Sequence, residues 1–450
     1  MAGKVILVGA GPGDAGLLTV KGRRELQRAE VVVFDRLVDE EIMKLIPEDA
    51  EKIDVGKRVA DHPVPQPEIN RILLHRAQEG KRVVRLKGGD CFVFGRGGEE
   101  LELLAEHGVD FEVVPGITSA LAAAAYGGVP ATHRDFCSSV HIITGHRRRN
   151  ESLSLDFDAL VRLDGTLIFL MAVATFPEIA EGLMRAGMPA EMPCAVVENG
   201  TRPEQRRLLT TVGGAAECIA ENGVKSPAIF VVGRVCELSE RMDWFDALPL
   251  KGARVLVSRP KEESHRLAEI LRERGARVYE LPAPRVESVD FELPEPGANL
   301  IFPTGNAVDA LMDKLRREGR DARALWGYSL VCETKDAENA LCRFGLKPDE
   351  RSLQKRDARL CCEGEEGIPV WRRVMPEEEE IPEADYVALT TLAGAEVFAH
   401  LMKKCDLSGM TAVCIGEKTA EAARKLGMKT VVSEKSTLES VADCLAALYR

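Results

Sequence analysis

The sequence contains no apolar run of the roughly 18 residues that crossing a bilayer takes, so no membrane span is expected. It has no secretory leader pattern either: Met1-Ala-Gly-Lys4 passes directly into the strand-like Val5–Val8. Its 12 cysteines are scattered without a single CxxC pair. The adjacent pair Cys361–Cys362 suits neither a structural zinc site nor an ordinary disulfide. The thiols therefore read as small hydrophobes in a reducing, cytoplasmic setting, with no metal site. Basic residues are not in excess. Lys and Arg number 60 against 72 Asp and Glu, and the net charge of −12 argues against general nucleic-acid binding. A local basic pocket for a small polyanion remains compatible with that balance.

What is present is an ordinary globular composition, 45% hydrophobic and 29% charged, in a chain of 450 residues. That length is too great for one core, and several compact units are expected. Apolar β-rich runs alternate with helical patterns throughout, which predicts α/β architecture with largely parallel sheets. Strands are predicted at Val5–Val8, Val31–Phe34, Lys52–Val55, Arg82–Leu86, Phe111–Val114, Val140–Thr144, Thr166–Met171, Cys194–Glu198 and Ala228–Val232. The pattern pauses at the polar stretch His146–Leu155, and a change of lobe is placed earlier, near Pro115–Ser119. After a second break at Trp244–Lys251 the alternation restarts, with strands at Arg254–Val257, Arg277–Leu281, Leu300–Phe302, Tyr386–Leu389 and Ala412–Ile415. Little strand pattern is visible between Arg351 and Gly367, and the acidic run Glu377–Glu380 reads as a solvated linker. Phe302–Leu311 and Leu389–Phe398 echo one another, each a strand, a small turn with threonine and a helix. Helix N-termini of that kind suit a substrate rich in carboxylates.

The densest motif is Arg85-Leu-Lys-Gly-Gly-Asp-Cys-Phe-Val-Phe-Gly-Arg-Gly-Gly-Glu-Glu100. Two adjacent glycines let backbone approach a ligand closely, and Asp90 beside them can hold hydroxyls or a cation. Gly9-Ala-Gly-Pro-Gly-Asp14 also follows a strand. It departs from a dinucleotide fingerprint, because Asp14 stands where GxGxxG needs glycine and its carboxylate would repel a pyrophosphate. That loop suits a ligand without phosphates. Asp35-Arg36 and Lys57-Arg58 each end a strand, and Asp35 opposite Lys57 is a candidate proton-moving pair. Pro115-Gly-Ile-Thr-Ser119 turns a strand into a capped helix, and the histidines of Thr132–Asp135 and Thr144–Arg147 read as structural groups.

The ordered series GAGPGD, VFDRLV, GKR, VRLKGGDCFVFGRGGEE, VVPGIT, THRD, TGH, VENGT and VGRV, spanning about Val5–Phe245, resembles the uroporphyrinogen-III C-methyltransferases of the tetrapyrrole methylase family. The resemblance implies a domain over 1–245, with lobes of about 1–116 and 117–245, a cleft for S-adenosylmethionine between them, and a homodimer. It implies double C-methylation of uroporphyrinogen III to precorrin-2. Carried over residue by residue, Pro12, Gly88, Gly89, Asp90, Val93, Thr118, Ser119, Met171 and Gly200 would line the cofactor site. Asp35 and Lys57 match the family's proton acceptor and donor, and Arg36 and Arg58 are candidates for substrate carboxylates. Cys91 stands where members usually have proline, and Met171-Ala172 where they have Met-Gly.

The remainder, 251–450, resembles uroporphyrinogen-III synthase through Val255–Pro260, Phe302–Val308, Ile415–Ala420 and Ser436–Ser440. The resemblance implies two α/β lobes joined by a strand pair, one of about 251–284 plus 374–450 and the other of about 288–368. It implies cyclisation of hydroxymethylbilane with inversion of the last ring, which supplies the methylase substrate. Thr304, Asn306, Thr390, Thr391 and Thr419 are candidates for binding its carboxylates. Trp371 stands where the family often has a tyrosine. Three rival readings remain open: a methyltransferase with a non-catalytic C-terminal binding module, a dinucleotide-dependent oxidoreductase built on Gly9–Asp14, and a methylase acting at another ring position.

Overall fold

The computed structural model describes residues 3–56, 64–145, 153–258, 261–377 and 381–449. Internal contacts divide the chain into two units, Met1–Gly252 and Ala253–Arg450. No helix among the described residues is long and apolar enough to cross a membrane.

The first unit opens with five strands: β1 (Lys4–Gly9), β2 (Val31–Phe34), β3 (Glu51–Asp54), β4 (Arg82–Lys87) and β5 (Asp110–Val114). They form one all-parallel sheet in the order β3-β2-β4-β1-β5. Successive side chains of a strand point to opposite faces, so unbroken apolar runs such as Val5-Ile-Leu-Val8 mean that both faces are covered. Val5, Leu7, Val31, Val33 and Val83 join one core, whereas Ile6, Val8, Val32, Val84 and Leu86 join the other.

The second sheet contains β6 (Val140–Thr144), β7 (Thr166–Leu170), β8 (Pro193–Glu198), β9 (Arg206–Thr211) and β10 (Ala228–Val232), in the order β6-β7-β10-β8-β9. Only β6–β7 pair in parallel; the other three pairings are antiparallel, which corrects the expectation of largely parallel sheets here. The local pattern could not reveal this, because the direction of β10 depends on where the chain returns to the sheet. The helix Ser119–Tyr126 packs Ala120, Ala123 and Ala124 against Ile168, Val197 and Val231, so the chain has already passed to the second sheet at that helix.

The second unit starts in a third sheet with β11 (Arg254–Ser258) and β12 (Arg277–Glu280). It then builds a fourth from β13 (Arg285–Ser288), β14 (Asn299–Phe302), β15 (Ser329–Cys332), β16 (Asp357–Cys362) and β17 (Ile368–Val374). It returns to the third with β18 (Tyr386–Leu389), β19 (Thr411–Cys414) and β20 (Lys429–Val432). The orders are β12-β11-β18-β19-β20, all parallel, and β13-β17-β16-β14-β15, with β13 and β17 antiparallel where the chain enters and leaves. β16 occupies the stretch that seemed poor in strand pattern. Its Asp-Ala-Arg-Leu-Cys-Cys sequence pairs with β14 and β17, and its smaller apolar residues hid it. The sequence echo is real at the level of backbone. β14 leads to the helix Gly305–Arg317 and β18 to the helix Leu392–Leu401, and β15 and β19 repeat the arrangement.

Candidate functional site

Three glycine turns meet at the carboxyl ends of β1, β4 and β5. This is where open α/β sheets place their ligands. A Cβ on Gly116 would lie 2.2 Å from the Gly89 carbonyl oxygen and 2.7 Å from Gly9 Cα. One on Gly9 would lie 2.5 Å from Gly116 Cα. These positions therefore admit only glycine, because backbone faces backbone. Gly11 and Gly89 exchange hydrogen bonds across the gap, at 3.2 and 2.8 Å. Gly89 has φ +68°, and its open side meets only the Ser119 nitrogen, at 3.8 Å. The open side of Gly89 thus faces the N-terminus of the helix Ser119–Tyr126, which Thr118 caps.

Asp90 holds this surface in shape. Its Oδ1 accepts from the N–H groups of Phe92 (2.8 Å) and Val93 (3.1 Å), and its Oδ2 from that of Gly116 (3.0 Å). Sequence reasoning gave Asp90 to a ligand; its visible contacts are to the turns themselves. Asp14 likewise has a local partner set. It caps a short 3₁₀ turn through Gly16 N and accepts from the Tyr126 hydroxyl at 2.7 Å, while its own N–H donates to Thr201 Oγ1. Burial and the Asp14 carboxylate push the Tyr126 phenol up from its ordinary pKa.

These bonds bring the carboxyl end of β8 to the Gly9–Asp14 loop, which contains the half-buried Pro12. Gly200 follows β8, and a Cβ there would lie 2.3 Å from Ala123 Cβ, so its glycine serves close packing on the helix. Leu170 of β7 and Val197 of β8 both stand level with Ile229 of β10, so Met171 ends β7 at the same edge of the sheet. Met171 is 52% exposed with φ +53°; Phe94, Asn199 and Thr201 also have positive φ. Such backbone outliers cluster where a site over-determines the chain. Val93 packs against the second-sheet core, and Gly88 faces Leu37. Leu37 and Phe92 are exposed. Arg202 Nη2 donates to the Leu37 carbonyl oxygen at 2.9 Å, fixing the loop that carries Asp35 and the exposed Arg36.

Asp35 ends β2 with its side chain 31% exposed. Its Oδ1 accepts from Arg85 Nη2 at 2.7 Å, and Lys87 Nζ stands 3.8 Å from its Oδ2. Arg85 and Lys87 lie two residues apart on β4 and so share a face. Behind them the fully buried Glu100 accepts from Arg85 Nε (3.1 Å), Lys87 Nζ (2.9 Å) and Gln66 Nε2 (3.1 Å). Burial opposes the Arg85 charge, but Asp35 and Glu100 more than offset that and raise its pKa. Sequence reasoning passed over Arg85, Lys87 and Glu100. The available signal was the i, i+2 spacing of two cations inside the apolar strand Arg82–Lys87. Lys57 and Arg58 lie outside the described residues. A cavity of about 270 Å³ lies at the opposite edge of the second sheet, among Phe136, Thr166, Met192 and Arg234.

In the second unit Thr391 caps the helix Leu392–Leu401 through Gly394 N, and Thr419 Oγ1 donates to the Gly416 carbonyl oxygen at 2.7 Å. The hydroxyls of Thr304 and Thr390 are buried and have no partner among the described residues; the Trp371 indole nitrogen is in the same state. Asn306 lies half-buried in the first turn of the helix Gly305–Arg317. That helix start already holds an anion, because Gly305 N donates to the Asp336 carboxylate at 2.7 Å.

Glycine turns that meet at the carboxyl ends of neighbouring parallel strands define a ligand-binding surface of the open α/β class. Residues 4–216 match the family profile "Tetrapyrrole (Corrin/Porphyrin) Methylases", and residues 372–443 match "Uroporphyrinogen-III synthase HemD". The chain is 44% identical to the porphyrin biosynthesis protein HemD of Ruminiclostridium josui, over 98% of this chain and 97% of that protein. It belongs to the tetrapyrrole methylase family, in the form that carries a synthase-like C-terminal part. Siroheme synthase 2 of Yersinia enterocolitica is 52% identical over 54% of this chain, and the chain spans 51% of that protein's length. Among solved structures, the uroporphyrin-III C-methyl transferase of Thermus thermophilus complexed with S-adenyl homocysteine is 42% identical, covering 52% of this chain and 99% of that one with a TM-score of 0.46.

Proposed function

We propose that the chain is a bifunctional enzyme of tetrapyrrole synthesis. Its first unit transfers two methyl groups from S-adenosylmethionine to carbons of uroporphyrinogen III, and its second cyclises hydroxymethylbilane to that substrate. The observation that carries the reading is the meeting of the Gly9, Gly89 and Gly116 turns beside Asp35. The methyl donor is a sulfonium with ribose hydroxyls and a carboxylate but no phosphate. In this reading it lies against the open side of Gly89, beside the start of the helix Ser119–Tyr126, on turns that Asp90 holds in shape.

Pro12, Gly88, Gly89, Asp90, Val93, Thr118, Ser119, Met171 and Gly200 hold the donor in this reading. Their chief contribution is to fix the distance and line of the transfer, which brings entropy and solvent costs forward into binding. The donor supplies an electrophilic methyl group and leaves as a neutral thioether. Asp35 then accepts the proton lost from the methylated ring system, and Lys57 serves as the donor partner. Arg36 and Arg58 meet substrate carboxylates.

In the second unit, Thr304 and Thr390 are favoured among the five candidates because their buried hydroxyls have no partner among the described residues. Asn306, Thr391 and Thr419 complete the set. We infer domains of 1–245 and 251–450, a homodimer formed through the first, and a cytoplasmic location.

The test is the whole protein supplied with hydroxymethylbilane and S-adenosylmethionine, with products resolved by mass and isomer. The expected product is the dimethylated type III compound. Dimethylation of added uroporphyrinogen III, with only type I isomer formed from hydroxymethylbilane, would reduce the second unit to a binding module. Titration with NADH and with S-adenosylhomocysteine separates the oxidoreductase reading: binding of NADH alone overturns the proposal.

A further inference from the structure

The charged residues behind Asp35 are hard to explain by stability alone. Four ionisable groups, Arg85, Lys87, Glu100 and Asp35, form one connected set, and three of them are buried: Glu100 is 0% exposed, Arg85 1% and Lys87 4%. Removing such charges from water costs several kcal/mol per ion, and well-packed apolar residues of similar volume usually serve stability as well or better. Glu100 is also incompletely used, since Oε1 takes three donors while Oε2 has no partner among the described residues. The set has one outlet. Asp35 alone among the four reaches the surface, at the carboxyl end of β2. Each of its oxygens faces a different cation, and the Arg85 guanidinium is further pinned by the Val33 and Leu86 carbonyl oxygens, both at 3.3 Å.

We propose that Glu100 and Lys87 are positioning residues for Asp35: the buried carboxylate fixes Lys87 and Arg85 on β4, and these two cations hold the Asp35 carboxylate in one orientation at the carboxyl end of β2. This rests on the reading of Asp35 as the proton acceptor. Neither side chain hydrogen-bonds to a residue assigned to the donor among the described residues, so they are expected to act on turnover and leave donor binding alone.

The test uses the full chain with Lys87→Met, Lys87→Arg and Glu100→Gln. It measures methyl-transfer kcat, the Kd for S-adenosylhomocysteine and thermal stability. Lys87→Met is expected to lower kcat by about tenfold or more, a fraction of what a general base contributes, with Kd unchanged within about twofold. Lys87→Arg restores part of the loss. If Lys87→Met does not fold, the isosteric Glu100→Gln carries the same expectation. A folded Lys87→Met with parental kcat, or a folded Glu100→Gln with parental kcat where Lys87→Met does not fold, overturns the proposal, as does a loss of S-adenosylhomocysteine affinity that matches the loss of kcat. Asp35→Asn separates the two levels. If it turns over at the parental rate, the role of Asp35 falls and the positioning role falls with it. If Asp35→Asn is slow while both Lys87→Met and Glu100→Gln are fast, only the positioning role falls.

Discussion

Gly116→Ala puts a single methyl group where three strands converge. The new Cβ would sit 2.2 Å from the Gly89 carbonyl oxygen and 2.7 Å from Gly9 Cα. Both neighbours are backbone atoms, one at the end of β1 and one in the turn after β4 that pairs with Gly11, so no side chain can swing aside. Overpacking of this kind costs about 1–3 kcal/mol, and more where the frame cannot shift. For a unit of this size 1 kcal/mol moves the melting temperature by about 2–4 °C, so a fall of about 2–12 °C is expected. The internal control is Gly98→Ala, in the helix Gly97–Glu106, where a Cβ would meet nothing within 4 Å. Alanine there gains about 0.5–1 kcal/mol of helix stability, a rise of about 1–4 °C. Calorimetry of the full chain reads both. The transition that S-adenosylhomocysteine raises belongs to the first unit, and titration gives its affinity. Gly116→Ala should melt early and bind the ligand poorly. A variant that melts within about 1 °C of the parent and binds normally would refute the argument from close approach.

Other outcomes are fixed by the same geometry. Asp90→Ala leaves the N–H groups of Phe92, Val93 and Gly116 without their acceptor, at about 1–3 kcal/mol for each group left dry, and S-adenosylhomocysteine affinity should fall with it; full affinity and turnover would contradict the site. Burial pushes the Cys91 thiol up to about 12, so at neutral pH it is a protonated, enclosed hydrophobe. Brief alkylation followed by peptide mapping should mark the exposed Cys342 and Cys405 and leave Cys91 until the protein is unfolded. Hydrogen bonds from Lys21 and Lys4 hold the Glu112 carboxyl down at about 2, against an ordinary 4.5. A lowered carboxylate stabilises the fold above its unfolded pKa and loses that contribution as protonation proceeds. The stability gap between the parent and Glu112→Gln should therefore be full above about pH 4.5 and close as the pH falls towards 2, measured by chemical denaturation at each pH.

Strands with both faces covered were the plainest, although the edge strands β3, β5, β6 and β12 were read as well. Val5–Val8 and Val31–Phe34 announce themselves because every position is apolar. Several strands that sequence reasoning missed lie at sheet edges: β9, β13, β15 and β20. An edge strand has one neighbour and more exposure, so Arg206-Arg-Leu-Leu-Thr-Thr211 and Arg285-Val-Glu-Ser288 carry too much polar character for a periodicity argument. β17 was hidden for a different reason, since Pro369, Arg372 and Arg373 interrupt it inside its sheet. The site shows a similar division. The glycine turns themselves were read from short motifs, whereas Arg85, Lys87 and Glu100 looked like isolated charges until β4 and the helix Gly97–Glu106 were brought together.

The sequence alone determined what depends on near neighbours: the α/β alternation, the glycine turns after β1 and β4, the capped helix start at Thr118 and the ordered motifs that carry family membership. Backbone freedom and local hydrogen bonding decide those features within a few residues. Only the tertiary structure decided that β4 lies between β2 and β1, and everything that follows from it. That placement sets Arg85 against Asp35; with β5 on the other side of β1 it brings Gly89 to Gly116, and the packing of the helix Ser119–Tyr126 brings Tyr126 to Asp14. Charge pairing and close backbone approach act through space at a few ångströms, and the order of strands in a sheet is not written in the order of residues along the chain.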